Sequence, residues 1–272
     1  MSLGKFFWVG SDRRRQQLDE AVRRRRRASF GFEQVPEEEK VHRVRRHFNS
    51  VAHCYDFMNT LLSFGIHLAW KIRAVKALGL KPGQRVLDVC GGTGDLAKLA
   101  ARKAAPAGQV TIYDINWEMM AAGRPRIAAG REGRFINFVQ GNAEAISFAD
   151  NTFDGAMVGF GIRNVTHMAT GFKEMYRVLK PGGHFMCLEF SKPRNPVFRV
   201  LYDFYSFAIM PLLGELIAGS RQAYTHLPET IRLFPLPDEL AAILTKIGFT
   251  RVGYHSLTNG IAVIHYGVKP KS

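Results

Sequence analysis

Cysteine, acidic residues and long apolar runs are all scarce in this chain. Its 272 residues include three cysteines, Cys54, Cys90 and Cys187. Their number is odd and their spacing wide, which excludes a disulfide framework or a metal knuckle and fits a reducing compartment. No window reaches about 18 uninterrupted apolar residues, and the N-terminus lacks the apolar core of a secretory signal, so a soluble or peripheral protein is expected. Acids number 23 against 38 lysines and arginines, for a formal net charge of +15. The G-x-G-x-x-G dinucleotide fingerprint and the lysine-containing phosphate loop are both missing. No internal repeat is evident, and low complexity is confined to the arginine-rich start.

Much of the positive charge lies in residues 1–30, where Lys5, Arg13–Arg15 and Arg23–Arg27 face only Asp12, Asp19 and Glu20. Such a block reads as a solvated, unstructured extension. It also suits attraction to an anionic membrane surface, loose nucleic-acid contact or an arginine-rich transit peptide, although its three acids count against the last. With 46% hydrophobic content, the remainder is long enough to bury one full α/β core.

The central feature is Val86-Leu87-Asp88-Val89-Cys90-Gly91-Gly92-Thr93-Gly94-Asp95, an apolar strand running into a glycine-rich turn. Gly91, Gly92 and Gly94 let the backbone take positive φ and lie close to a ligand, and the helix expected from Asp95 presents free N–H groups to it. Asp88 sits six residues before the last glycine. A carboxylate beside this loop suits a cationic cofactor without phosphate, and S-adenosylmethionine carries a sulfonium and an amino group. Asp114 closes the next apolar run, Val110–Asp114, where a carboxylate accepts the two hydroxyls of an adenosine ribose.

Strands are expected at 85–90, 109–114, 135–140, 153–159 and 183–190, most with helices between them, which means a parallel sheet covered on both faces. Helices are expected over 37–63 and 67–78, ahead of the sheet. At the end, 250–257 and 260–268 flank only Thr258-Asn259 and predict a hairpin that puts one antiparallel strand in the sheet. This is a class I, Rossmann-like methyltransferase fold of seven strands with an N-terminal helical cap. The expected division is a basic extension at 1–30, a cap at 31–80, and a methyltransferase domain at 81–272 with a substrate lid inserted at about 191–235.

Ligands in such sheets bind beyond the carboxyl ends of the strands. The turn Gly141-Asn142-Ala143-Glu144 follows the third strand and offers an amide to an adenine edge, although Asn142 can equally bond its own backbone. Gly159-Phe160-Gly161-Ile162-Arg163-Asn164-Val165 follows the fourth and places a cation and an amide near the methyl donor; Arg163 also reads as an ordinary ion-pair residue. Glu189 ends the fifth strand, as a structural residue or one facing substrate. His67 and His226 rank low as candidate bases.

The runs FNSVAHCYDFMN (48–59), FGIHLAWK (64–71), VLDVCGGTGDL (86–96), YDIN (113–116), FGIRNVT (160–166), LEFSKP (188–193), YDFYSF (202–207) and LTNGIAVIHYG (257–267) resemble the UbiE/COQ5/MenG family of quinone-biosynthesis C-methyltransferases over roughly residues 29–269. The resemblance implies methyl transfer from S-adenosylmethionine to a ring carbon of a polyprenylated quinol, either demethylmenaquinol or a 6-methoxy-2-polyprenyl-1,4-benzoquinol. Cofactor contacts are expected from Asp88, Gly91, Gly92, Thr93, Gly94, Asp114, Asn142, Ala143 and Gly159. Gly159 stands where the family usually has serine, so a hydroxyl contact there is lost. A second departure is Gly219-Ser220-Arg221-Gln222-Ala223-Tyr224, where the family tends to carry an acid and SYRYL.

A ring carbon becomes nucleophilic when the adjacent phenol is deprotonated. Arg163 stays protonated, so its expected role is to stabilise the phenolate, with Asn164 orienting the same oxygen. Tyr55 passes the proton, stacks on the ring, or is plain core. Residues 197–218 are apolar but carry Arg199, Asp203 and Glu215, which suits a membrane-touching lid or a surface-packed helix rather than a span. The resemblance places the protein in the cytoplasm, peripheral to the inner membrane, with the mitochondrial matrix as alternative, acting as a homodimer or in a biosynthetic complex. No specific nucleic acid is expected: Phe160-Gly161-Ile162-Arg163 stands where base methylation needs an Asn/Asp-Pro-Pro-aromatic turn.

Overall fold

The structure is a computed structural model that describes residues 8–16 and 18–271. The polar N-terminal stretch is folded onto the domain as far as it is described, contrary to the unstructured extension that its charge predicts; residues 1–7 lie outside the described residues. Short helices α1 (Ser11–Arg15) and α2 (Asp19–Arg25) precede a hairpin of β1 (Arg27–Phe30) and β2 (Glu33–Pro36). The correction has specific causes. Arg14 forms a bidentate pair with Glu239, at 2.7 and 2.8 Å, Val22 is buried, and both oxygens of Asp19 accept backbone N–H groups of Ala169 and Thr170 at 3.0 and 2.7 Å. Charge patterning counts arginines, whereas these few buried contacts decide whether the segment docks.

Residues 37–78 form α3 (Glu37–Val51), α4 (Tyr55–Leu62) and α5 (Ile66–Ala77). The single helix expected over 37–63 is split by a 3-10 turn at Ala52–Cys54, which redirects α4 across the glycine loop. There, Asp56 accepts the Thr93 hydroxyl at 2.7 Å.

Alternation of apolar strands and amphipathic helices then builds the sheet: β3 (Arg85–Val89), α6 (Asp95–Ala104), β4 (Gln109–Asp114), α7 (Trp117–Ala128), β5 (Ile136–Gln140), β6 (Phe153–Gly159), α8 (Met168–Val178) and β7 (Leu179–Phe190). Val86, Leu87, Val89, Ala156, Met157, Val158, Met186, Cys187 and Leu188 are fully buried, the pattern of parallel strands covered on both faces.

After β7 the chain leaves the sheet for α9 (Pro196–Phe204), a π-helical turn (Tyr205–Ile209), α10 (Met210–Ala218) and α11 (Arg221–Leu233). Residues Pro196–Ala218 make one continuous helix of 23 residues, long and apolar enough to cross a membrane by length and composition. In the fold it lies on the domain: Asp203 pairs with the buried Arg232 of α11, Tyr205 donates to Leu62 O at 2.9 Å, and the Tyr224 ring occupies the space that a side chain at Gly214 would fill.

Helix α12 (Pro237–Ile247) leads to β8 (Thr250–Leu257) and β9 (Ala262–Val268). The strand order is β5-β4-β3-β6-β7-β9-β8, with β9 antiparallel to both neighbours. The fold is therefore the class I methyltransferase architecture. The connection of the last two strands is longer than the two residues predicted: Thr258–Gly260 wind into a 3-10 turn, and Thr258 accepts the Trp70 indole N–H at 2.8 Å.

Candidate active site

The order of strands reverses between β3 and β6, and a crevice opens there beyond their carboxyl ends. A cavity of about 520 Å³ occupies it. Asp88, Gly91, Gly92, Thr93, Asp114, Asn142, Ala143, Gly159, Arg163, Asn164 and Tyr55 all line this one cavity. Gly94 does not. At φ +82° it starts α6, and a Cβ there would meet Ile127 and Ile112 at 2.5 and 2.7 Å, so glycine is required for packing and not for a ligand.

The two turns flanking the crevice both begin in the left-handed region on non-glycine residues, Cys90 at φ 53° and Phe160 at φ 57°. Backbone held this way is typical of sites where geometry is imposed by the surroundings. Gly92 continues the first turn at φ 51° and donates its N–H to Asp114 Oδ2 at 2.8 Å, while Asn116 N–H reaches Asp114 Oδ1 at 2.8 Å. Burial nevertheless raises the Asp114 carboxyl above its ordinary range.

Asp88 is fully buried, and neither of its oxygens has a partner of hydrogen-bond geometry. Burial pushes its carboxyl up to about 8, the Ala97 amide acting the other way. The Thr93 hydroxyl is committed to Asp56, and Arg126 ties Asp56 to Asp95, with Lys71 on Asp95 at 2.6 Å. Asn142 Oδ1 accepts Glu144 N–H at 3.0 Å, the local turn that its residue type allows.

Arg163 forms a buried ion pair with Glu189 at 3.0 Å and lies over the Phe190 ring at 5.5 Å. Glu189 is outside the cavity lining and acts as the counter-ion; burial raises its carboxyl despite the guanidinium beside it. Arg163 Nε and Asn164 Nδ2 are left buried without partners, as are Thr166 Oγ1 and His67 Nδ1 on the same cavity. Tyr55 is raised by burial and stays a neutral phenol. His67 Nε2 is engaged by the Thr60 hydroxyl at 3.2 Å, which weakens it as a base.

Sequence reasoning missed His47, Trp70, Phe160, Phe190, Tyr202 and Tyr205, which line the substrate side. Their local signal is aromatic density in FGIHLAWK and YDFYSF for Trp70, Tyr202 and Tyr205, and the strand-end turns for Phe160 and Phe190, while His47 has none; these signals cannot say which rings face inward. Among the described residues no group of histidine, cysteine or acidic side chains is arranged to hold a metal ion.

The model of the ubiE/COQ5 methyltransferase family matches residues 34–269. The "Ubiquinone/menaquinone biosynthesis C-methyltransferase UbiE" of Ectopseudomonas mendocina is 46% identical over 241 residues, 89% of this chain and 94% of that protein, and that of Pseudomonas fluorescens matches equally. Among solved structures, a SAM-dependent methyltransferase from Aquifex aeolicus has a TM-score of 0.54 at 20% identity, covering 73% of this chain and 89% of its own. The [4+2]-cyclase SpnF scores 0.63 at 18% identity, over 84% and 96%. At such identities these structures show the fold alone.

Proposed function

The chain belongs to the ubiE/COQ5 methyltransferase family, and from that premise we infer how its residues serve S-adenosylmethionine-dependent C-methylation of a polyprenylated quinol in ubiquinone or menaquinone biosynthesis. One observation carries the reading. A single cavity holds a buried acid, Asp88, that no cation pairs and that only the Ala97 amide approaches, together with the buried donors Arg163 Nε and Asn164 Nδ2, which have no partners, in an otherwise largely aromatic and aliphatic wall. Buried polar groups rarely go unpaired, and these converge on one cavity, which suits a polar ligand there.

The unpaired Asp88 fits a cationic cofactor. Asp88 gives up its proton to meet the positive charge, Asp114 keeps lone pairs for ribose hydroxyls, Asn142 and Ala143 edge the base, and Gly91, Gly92, Thr93 and Gly159 form the walls. When bound, S-adenosylmethionine supplies an electrophilic methyl group. Arg163 and Asn164 hold the quinol oxygen as it becomes negative, and because they are fixed beforehand by Glu189 and the turn, no reorganisation is needed. Tyr55 donates to the same oxygen or covers the ring.

The mouth supports a membrane-bound substrate. Phe64, Ile66, Phe198 and Leu201 line the cavity and are also exposed, continuous with Val197, Val200 and Leu216 on α9 and α10. An apolar rim of this kind lets a prenyl tail run from the cavity into lipid while the protein rests on the cytoplasmic face of the membrane, drawn there by its positive charge.

The test is transfer of labelled methyl to demethylmenaquinol and to a 6-methoxy-2-polyprenyl-1,4-benzoquinol, with the oxidised quinones as controls. Product from a quinol and none from the quinones is expected. Arg163→Ala should bind S-adenosylmethionine within about twofold of wild type while turnover drops ~10²–10³-fold. Wild-type turnover in that variant would remove Arg163 from the mechanism, and cofactor binding without product from either quinol would redirect the search to another acceptor.

A further inference from the structure

Three of the histidines drawn into the interior are tied by hydrogen bonds: His67 to Thr60 at 3.2 Å, His167 to Glu37 at 2.6 Å and His265 to Pro237 O at 3.0 Å. His47 on α3 and His226 on α11 differ. Both line the cavity, and neither imidazole makes a hydrogen bond to another described residue; the one side-chain hydroxyl on His47, that of Ser50, reaches its backbone carbonyl. They are held by ring packing instead. Their centroids lie 4.7 Å apart, Phe30 stacks on His226 at 4.0 Å, and Phe48 meets His47 edge-on at 5.0 Å. Apolar contacts thus fix the rings while their nitrogens stay uncommitted on a cavity wall.

The charged groups acting on the pair are Arg163 on both rings and Lys40 on His226. Burial is the larger influence, and with these charges it takes His47 down to about 4 and His226 down to about 2. Both imidazoles are therefore unprotonated at physiological pH and able to accept. Glu229, one turn along α11, is turned to the Phe32 N–H at 3.1 Å. Arg163 lines the same cavity as the two rings, so a quinol oxygen held by it would share that cavity with them.

We propose that His226, with His47 stacked beside it, accepts the hydroxyl proton of the quinol while Arg163 holds the oxygen. The inference rests on the quinol methyltransferase reading above. The hydroxyl O–H bond breaks and its proton joins an imidazole nitrogen. The neighbouring ring carbon forms a bond to the methyl group as the methyl–sulfur bond breaks. That carbon then loses its hydrogen to water, and the imidazolium returns its proton to the oxygen. One proton leaves per methyl transferred, and the neutral imidazole is regenerated. Arg163 cannot act as this base, since a guanidinium has no free acceptor, whereas an imidazolium gains stability as phenolate charge forms beside it.

The experiment uses the purified full chain and the quinol that wild type accepts. His226→Phe keeps a ring against Phe30 and removes both nitrogens; His226→Ala leaves room for an added base. Cofactor affinity, and quinol affinity measured with S-adenosylhomocysteine present, should stay within about threefold in both. Turnover should fall ~10²–10³-fold, with a loss that shrinks as pH rises, and imidazole in the medium but not pyrrole should restore part of the His226→Ala rate. Undiminished turnover in both variants would overturn the proposal, as would a loss that neither pH nor imidazole alters. Failure of wild type on every quinol would instead overturn the reading beneath it.

Discussion

Asp88 shows how one residue couples fold, pH and ligand. In the folded chain its carboxyl titrates at about 8, against 3.8 for an unburied acid. Between those limits the folded chain binds the extra proton, so stability falls as pH rises through the window, and below pH 4 the penalty is gone. Replacing Asp88 with Asn removes the penalty. The expected result is a higher thermal midpoint than wild type, with a larger gain at pH 8 than at pH 5, measured by scanning fluorimetry. The same change removes a charged partner worth ~2 kcal/mol above pH 8, where Asp88 is ionised, so calorimetry at pH 9 should find cofactor affinity about 30-fold weaker. A variant that binds normally would show that Asp88 is merely tolerated. Its identity as a site residue was legible in Val86-Leu87-Asp88, but its lack of a partner was not, because that depends on β4, α6 and the loops closing over it.

At the scale of elements, α9 and α10 carry the clearest separation of two faces. Ser206, Phe207, Met210 and Gly214 are buried against the domain, while Val200 and Leu216 are 67% and 73% exposed. Substituting either exposed residue by Asp leaves packing untouched, so stability should change by about 0.5 kcal/mol or less. An apolar side chain dipping into lipid contributes ~1.5–3 kcal/mol, so cosedimentation with anionic vesicles should weaken by at least about tenfold. Unchanged cosedimentation would show that this face does not meet the membrane. The periodicity of 197–218 predicts an apolar helix, but not its π-helical turn or its orientation. Asp203 reads from sequence as an exposed charge on an apolar segment, whereas it is the partner of Arg232.

For the whole molecule, the N-terminal segment is the main departure from expectation. It precedes the family match, which begins at residue 34, yet it reaches three separate regions. Trp8 donates to Asp203 at 3.2 Å and lies under the Arg232 guanidinium, Arg14 holds Glu239 of α12, and Asp19 caps α8. Losing an N-cap and a partly buried bidentate pair costs ~2–3 kcal/mol. Removing residues 1–26 should therefore lower the thermal midpoint by roughly 5–10 °C, and an unshifted midpoint would mean that the segment detaches in solution. The positions of the strands, the glycine turn and the residues at the strand ends were legible because they follow from short-range periodicity and from stereochemistry that few residue types satisfy. The sequence by itself determined the α/β class and placed the glycine turn and Arg163 with Asn164 beyond the ends of strands, where they line one cavity. Only the tertiary structure decided that Glu189 neutralises Arg163, that Asp56 clasps Thr93 and that His47 meets His226. Those contacts join segments 26 to 179 residues apart, and no local pattern records which distant side chain will fill a buried group's remaining valence.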